Sequence, residues 1–111
     1  MVDFRRLFET ADVFIAPSCA VPAPPIGASE VDIDGQTVGA REAIARYTRP
    51  FNLLGLPVLA VPSGISGEGL PIGVQLVGRP WDEATLLRAG RVVEGERPWP
   101  SPPEPGNISA P

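Results

Sequence analysis

An α/β arrangement, with sheet strands flanked by helices and incomplete as a domain, is what this sequence predicts. Three observations lead there. Uninterrupted apolar runs of strand length stand at Val13-Phe14-Ile15-Ala16, at Val58-Leu59-Ala60-Val61 and, with one glutamine inside it, from Ile72 to Val77. Apolar residues at helical spacing lie between and after these runs, around 40–51 and 82–94. Strands apolar on both faces also need helices on each side and neighbours at their edges. The short helices available supply only part of that cover.

The 111 residues allow one small domain, and a hydrophobic fraction of 43 % is enough for a core. Net charge is −4, and all nine basic residues are Arg, scattered from Arg5 to Arg97. Such scatter argues against a nucleic-acid partner. One cysteine, Cys19, permits no internal disulfide, and with no His there is no set of zinc ligands. No metal or cofactor is expected. No apolar run reaches the ~18–20 residues of a membrane span, and residues 1–16 lack a basic lead into a long apolar segment, so no signal peptide is expected. The expected location is cytoplasmic, with no membrane partner.

Phe4, Leu7 and Phe8 form one apolar face of a short helix over residues 3–10. Asp12 leads into the first strand, which Pro17 should stop, since proline cannot donate to a sheet ladder. Apolar character on both faces predicts an interior position in a parallel or mixed sheet. Residues 17–29 hold four prolines and should be ordered but irregular. Cys19 there reads as a small buried or loop side chain, because a nucleophilic role needs a partner base and none is near in sequence. Asp34-Gly35, between alternating residues of 30–38, signals a two-residue hairpin turn.

From Ala40 the pattern is helical, with Ile44, Tyr47, Thr48 and Phe51 on one face. Pro50 splits it, because the residue before a proline leaves the α region. One helix should end near Tyr47 and a second start at Pro50, capped by Thr48 or Arg49 and closed by Gly55. The strand at 58–61 should end at Pro62, and 63–69 should form a turn. The strand at 72–77 should then pair with it, antiparallel if the two form a simple hairpin. Gly73 predicts a close approach of another group. Gln75 reads as a buried amide with its hydrogen bonds met, because an unpaired one would cost ~1–3 kcal/mol; lining a pocket is the alternative. Asp82 should cap a last helix through Glu94, with Leu86, Leu87, Gly90 and Val93 buried. Its acids at the start and Arg88 and Arg91 further along suit the helix dipole. Residues 1–97 form the expected ordered unit; the tail at 98–111, with six prolines, should be disordered.

Several of these segments resemble the C-terminal portion of the amidase signature family. Asp12-Val13-Phe14-Ile15-Ala16-Pro17-Ser18 is similar to its D-x-x-x-x-P-T strand end, with Ser for the usual Thr. Thr48-Arg49-Pro50-Phe51-Asn52-Leu53 with Gly55-Leu56-Pro57 resembles T-x-P-F-N-x-x-G-x-P, and Pro62-Ser63-Gly64 resembles P-S-G. Gly69-Leu70-Pro71-Ile72-Gly73-Val74-Gln75-Leu76-Val77-Gly78 resembles G-L-P-I-G-x-Q-L-V-G, and Asp82-Glu83 with Leu86-Leu87 matches the closing helix. The resemblance implies an α/β fold with a central mixed sheet and hydrolysis of C–N amide bonds by a Ser–cis-Ser–Lys triad upstream of this portion.

A serine needs an adjacent base to become a nucleophile, and this chain has neither Lys nor His. Ser18, Ser29, Ser63, Ser66, Ser101 and Ser109 have only carboxylates as bases, so no residue is expected to be catalytic. The Gly-Ile-Ser-Gly run at 64–67 reads as a turn. Members of the family that take ammonia from glutamine carry, by the resemblance, an acid shortly before T-x-P. Ala45 stands about there, which points to a general amidase of uncharged or aromatic amides. Asn52 and Thr48 read as capping and packing residues, and Arg49 and Arg79 as ion-pairing ones. The expected function is therefore the scaffold segment of an amidase, inactive by itself. A small-molecule amide would be its partner only in the complete enzyme, and a missing N-terminal half or a homo-oligomer would be its protein partner. The alternative is a non-catalytic binding module that pairs through an open sheet edge with another chain. An independent hydrolase with a new site is the third reading.

Overall fold

The computed structural model describes residues 4–96. The elements are α1 (Phe4–Leu7), β1 (Val13–Pro17), β2 (Glu30–Ile33), β3 (Gln36–Gly39), α2 (Ala40–Ala45), α3 (Arg49–Leu54), β4 (Val58–Ile65), β5 (Pro71–Gly78) and α4 (Glu83–Glu96). β1, β5 and β4 form a sheet in that order, with both pairings antiparallel. β2 and β3 form a separate hairpin whose turn residues, Asp34 (φ 52°) and Gly35 (φ 81°), both take the positive φ expected of them. The Asp32 carboxylate accepts from the Gly35 N–H at 3.0 Å and fastens that turn.

Strand alternation divides the sheet into two faces. On one, Val61, Leu76 and Leu86 of α4 form the core, joined by Val13, Leu59, Val74, Ala89 and Val93. Glycines let α4 sit close. A Cβ on Gly78 would lie 2.8 Å from Leu86 Cγ, and one on Gly90 would lie 2.5 Å from Leu59 Cδ2. On the other face Val77 is fully buried and pairs in register with Phe14, whose ring packs on Phe8 at 4.7 Å. Phe4 of α1 meets Phe51 of α3 edge-on at 5.9 Å. Helices thus lie on both sides of the three strands.

The structure corrects several details. β1 pairs with β5 alone among the described residues, so it is an edge of this sheet, not an interior strand. Its apolar run serves two helix layers, but α4 packs mainly against β4 and β5 and leaves Ile15 66 % exposed. Pro62 does not end β4, because a register irregularity between Pro62 and Gly64 absorbs the missing donor and the strand runs on to Ile65. α2 stops at Ala45, and Thr48 stands at the N-cap of α3 as expected, but its hydroxyl donates back to the Ala45 carbonyl at 3.2 Å and makes no cap bond. Gly55 closes α3 in the left-handed conformation, as expected. α4 extends to Glu96, which leaves no basic residue in its last turn, and Leu87 points outward at 59 % exposure. The proline-rich tail expected at 98–111 lies outside the described residues.

Candidate functional site

The polar anomaly of this molecule sits where the C-terminal end of β1 meets the N-terminal end of β5. Pro17 closes β1, and the Ser18 N–H then donates to the Gly73 carbonyl at 3.1 Å, holding the start of the proline loop against β5. Two residues on, the Ala20 N–H donates to the Ala43 carbonyl and ties the same loop to α2. Between these anchors opens a groove of about 590 Å³, walled by Val21, Ile44 and Ile72, with Ser18, Cys19 and Ser63 as its side-chain polar groups. No charged side chain lines it. The groove lies in the size range of ligand sites and shares their mostly apolar lining.

The Ser18 hydroxyl is shielded from solvent and has no hydrogen-bond partner. Gly73 lies beneath it. A Cβ there would stand 3.1 Å from the Val61 carbonyl oxygen and 3.4 Å from Ser18 Oγ, the close approach expected of this glycine. A second hollow of about 380 Å³ shares Ser18, Pro71, Ile72 and Gly73 with the groove and continues past Ala60 and Pro62. Its lining residues include no carboxylate and no other side-chain base beside the Ser18 hydroxyl.

The other singled-out residues have local duties. Gln75 is 1 % exposed, and its Nε2 donates to the Pro17 and Tyr47 carbonyls at 2.8 and 2.9 Å, so it is a satisfied amide. Ser66 belongs to the β4–β5 turn, where its hydroxyl accepts from the Leu70 N–H at 3.1 Å. Ser29 is exposed ahead of β2, and its carbonyl accepts from the Ala40 N–H. Arg79 pairs with Asp12 at 2.8 Å and donates to the Phe8 carbonyl at 2.7 Å, while Arg49 is exposed. Asn52 lines a separate hollow of about 410 Å³ with Leu56, Pro57 and Trp81. Cys19 is exposed, and Ser101 and Ser109 lie outside the described residues. Sequence reasoning weighed Ser18 as a nucleophile without a base and as the motif position usually held by Thr. Its burial without a partner depends on the β1–β5 register, which no local pattern encodes.

A sequence profile described as Amidase matches residues 1–87. The chain belongs to the amidase family. It is 42 % identical over 91 residues to the fatty acid amide hydrolase of Medicago truncatula, covering 82 % of this chain and 15 % of that protein. It is 44 % identical over 92 residues to a glutamyl-tRNA(Gln) amidotransferase subunit of Rhodospirillum rubrum, covering 83 % and 17 %. Among solved structures, a crystal structure of an amidase superposes with a TM-score of 0.79 at 35 % identity, over 84 % of this chain and 21 % of that one. 6-Aminohexanoate cyclic dimer hydrolase complexed with substrate gives 0.72 at 32 % identity, over 85 % and 21 %. The chain therefore spans about a fifth or less of these relatives, in their C-terminal portion. This amidase segment resembles both hydrolases and an amidotransferase, so the similarity does not choose between them.

Proposed function

We propose that this chain is the scaffold segment of an amidase and supplies no catalytic residue of its own. The hydrolysis of C–N amide bonds belongs, in this reading, to a Ser–cis-Ser–Lys triad on polypeptide outside these 111 residues. The observation that carries it is a chain of the amidase family without a single Lys or His. An uncharged groove whose buried hydroxyl has no base beside it supports the same conclusion. The protein's contribution is then to complete the sheet and helix layers around a site built mainly by the rest of the enzyme. Among the described residues β1 and β4 are the edges of the sheet, and open edges favour a partner that continues it, whether or not it is encoded on the same chain.

The test uses the Medicago truncatula fatty acid amide hydrolase cut before the portion this chain matches. That truncated polypeptide and this chain should each be inert on a fatty acid amide, and their mixture should turn it over. Turnover by this chain alone would show that it carries its own chemistry and would sink the proposal. An inert mixture would count equally against it.

A further inference from the structure

Trp81 is held in an unfavourable backbone conformation. The Asp82 N–H donates to the Arg79 carbonyl at 3.1 Å and closes a four-residue turn in which Pro80 is second and Trp81, at φ 66°, is third. Proline followed by a positive φ is the pattern of a type II turn, whose third position favours glycine or asparagine. A tryptophan there stores strain, and the turn leaves it 93 % exposed, so the core gains nothing from it. Trp81 walls the hollow of about 410 Å³ together with Leu56, Pro57 and Pro80. Glu83, at the rim of that hollow, stands one turn before Leu87 on α4. Beyond it Leu87 and Val92, 59 % and 66 % exposed, border the outward face of the helix, and helical spacing puts Arg88 and Arg91 between them. A partly apolar stripe thus runs from the indole toward the C-terminal end of α4, uncovered among the described residues.

We propose that this stripe is the seat of the chain's own proline-rich segment, residues 99–105, running back along α4 as an extended polyproline helix with Pro102, Pro103 and Pro105 against Trp81. The seat does not depend on the function proposed above: the Amidase profile ends at residue 87, ahead of the whole segment. Reach favours this occupant. The 14 residues of α4 measure about 21 Å at 1.5 Å each. About seven residues of polyproline helix, at ~3.1 Å each, cross the same distance. With Arg97 and Pro98 forming the turn, residues 99–105 supply that number and bring the last prolines level with the indole. Such a helix loses little freedom on docking and packs its prolines on exposed aromatic rings. Charge agrees as well. Glu104 is the one charged residue of 98–111, and Arg88 and Arg91 on the stripe carry the opposite sign. A tether this short holds the segment at an effective concentration in the millimolar range, above what a second copy reaches in dilute solution.

The chain has two tryptophans, so Trp99→Phe leaves Trp81 as the single fluorophore of the full-length protein. Acrylamide quenching of Trp81 is measured in that chain and in the same chain with Pro102, Pro103 and Pro105 all changed to Ser. Breaking the polyproline segment should raise the quenching constant about twofold or more, because prolines no longer cover the ring. Equal constants would overturn the proposal. Backbone ¹⁵N heteronuclear NOEs of Ser101 and Glu104 give a second readout. In the wild-type chain they should approach those of α4, and Trp81→Ser, at an exposed turn position, should bring them down while the α4 values hold. Low values in the wild type, or high values that survive Trp81→Ser, would each sink the idea. Protection of Trp81 that fades on about hundredfold dilution would assign the stripe to a second copy and overturn the intramolecular seat.

Discussion

Gln75→Leu isolates what one buried amide contributes. Leucine has nearly the volume of glutamine, so the substitution leaves packing around a fully buried position largely intact. What it removes are the bonds at 2.8 and 2.9 Å to the carbonyls of Pro17 and Tyr47. Two acceptors then lie in a site that water cannot enter, since Gln75 itself is 1 % exposed. Each orphaned acceptor costs about 1–3 kcal/mol, and the apolar side chain returns part of that, for a net loss of about 2–4 kcal/mol. Against the 5–15 kcal/mol that ordinary domains possess, this is a large fraction. Urea unfolding followed by circular dichroism reads it as a midpoint lowered by about 1–3 M. Gln75→Glu sharpens the test. An ionised carboxylate only accepts, and here it would face two carbonyl oxygens, so burial favours its protonated form and raises its folded-state pKa. Stability of that variant is then present below the unfolded glutamate value of ~4.3 and is lost as pH rises through the folded value. The Glu variant should be closer to wild type at pH 4 than at pH 7. A loss below about 0.5 kcal/mol for the Leu variant would refute the claim that this amide ties β1, β5 and the α2–α3 junction together.

Gly78→Ala should destabilise by about 1–3 kcal/mol, because its Cβ meets Leu86, which is 3 % exposed and has nowhere to move. Gly67→Ala, with nothing within 4 Å of the new atom, should leave the melting temperature unchanged or slightly raised. Asp12→Ala should cost no more than about 1 kcal/mol, since its side chain is 77 % exposed, and the loss should shrink in 1 M salt. Arg79→Ala should cost about 1.5–3 kcal/mol with little salt dependence, as its bond to the Phe8 carbonyl goes too. Gly35→Val should raise amide exchange across β2 and β3 while leaving β5 protected, because φ of 81° strains any branched side chain.

Much of this fold was legible because its signals are local. Asp34-Gly35, Gly55 and the Pro50 break are each dictated by backbone sterics within a few residues, and the structure places a turn, a helix cap and a helix junction there. Gly73 and Gln75 were legible for a related reason: a glycine and an amide inside an apolar run each demand a neighbour. The neighbours themselves, Ser18, Pro17 and Tyr47, were not legible, because they depend on which strand pairs with which and in what register. Pro62 misled in the same way. A proline stops a strand only if its missing donor is needed, and the irregularity beside it removes that need. Spacing puts Leu87 on the buried stripe of α4, yet the helix buries Leu86 and Gly90 and leaves Leu87 exposed.

The two ends of the sheet differ in a way that explains why the candidate site lies where it does. At the end where β1 begins and β5 finishes, the strong polar groups are answered. Arg79 reaches Asp12 and the Phe8 and Ala11 carbonyls and lies 5.9 Å over the Phe8 ring, closing that end with α1. At the opposite end a hydroxyl is left without a partner, and isoleucines from α2 and β5 stand half-exposed along the same groove. Both ends come from the same strands and the same register, so the difference is not a matter of how well the strands pair. It lies in the side chains: at the first end an arginine answers the carbonyls around it, while at the second the apolar groove leaves one buried hydroxyl without a partner. Ser18→Ala should leave the isolated chain as stable as the wild type, or more so, because it removes a buried hydroxyl that has no partner. A loss of stability of about 1 kcal/mol or more in the isolated chain would show that the hydroxyl already has an internal partner, and the distinction between the two ends would fail.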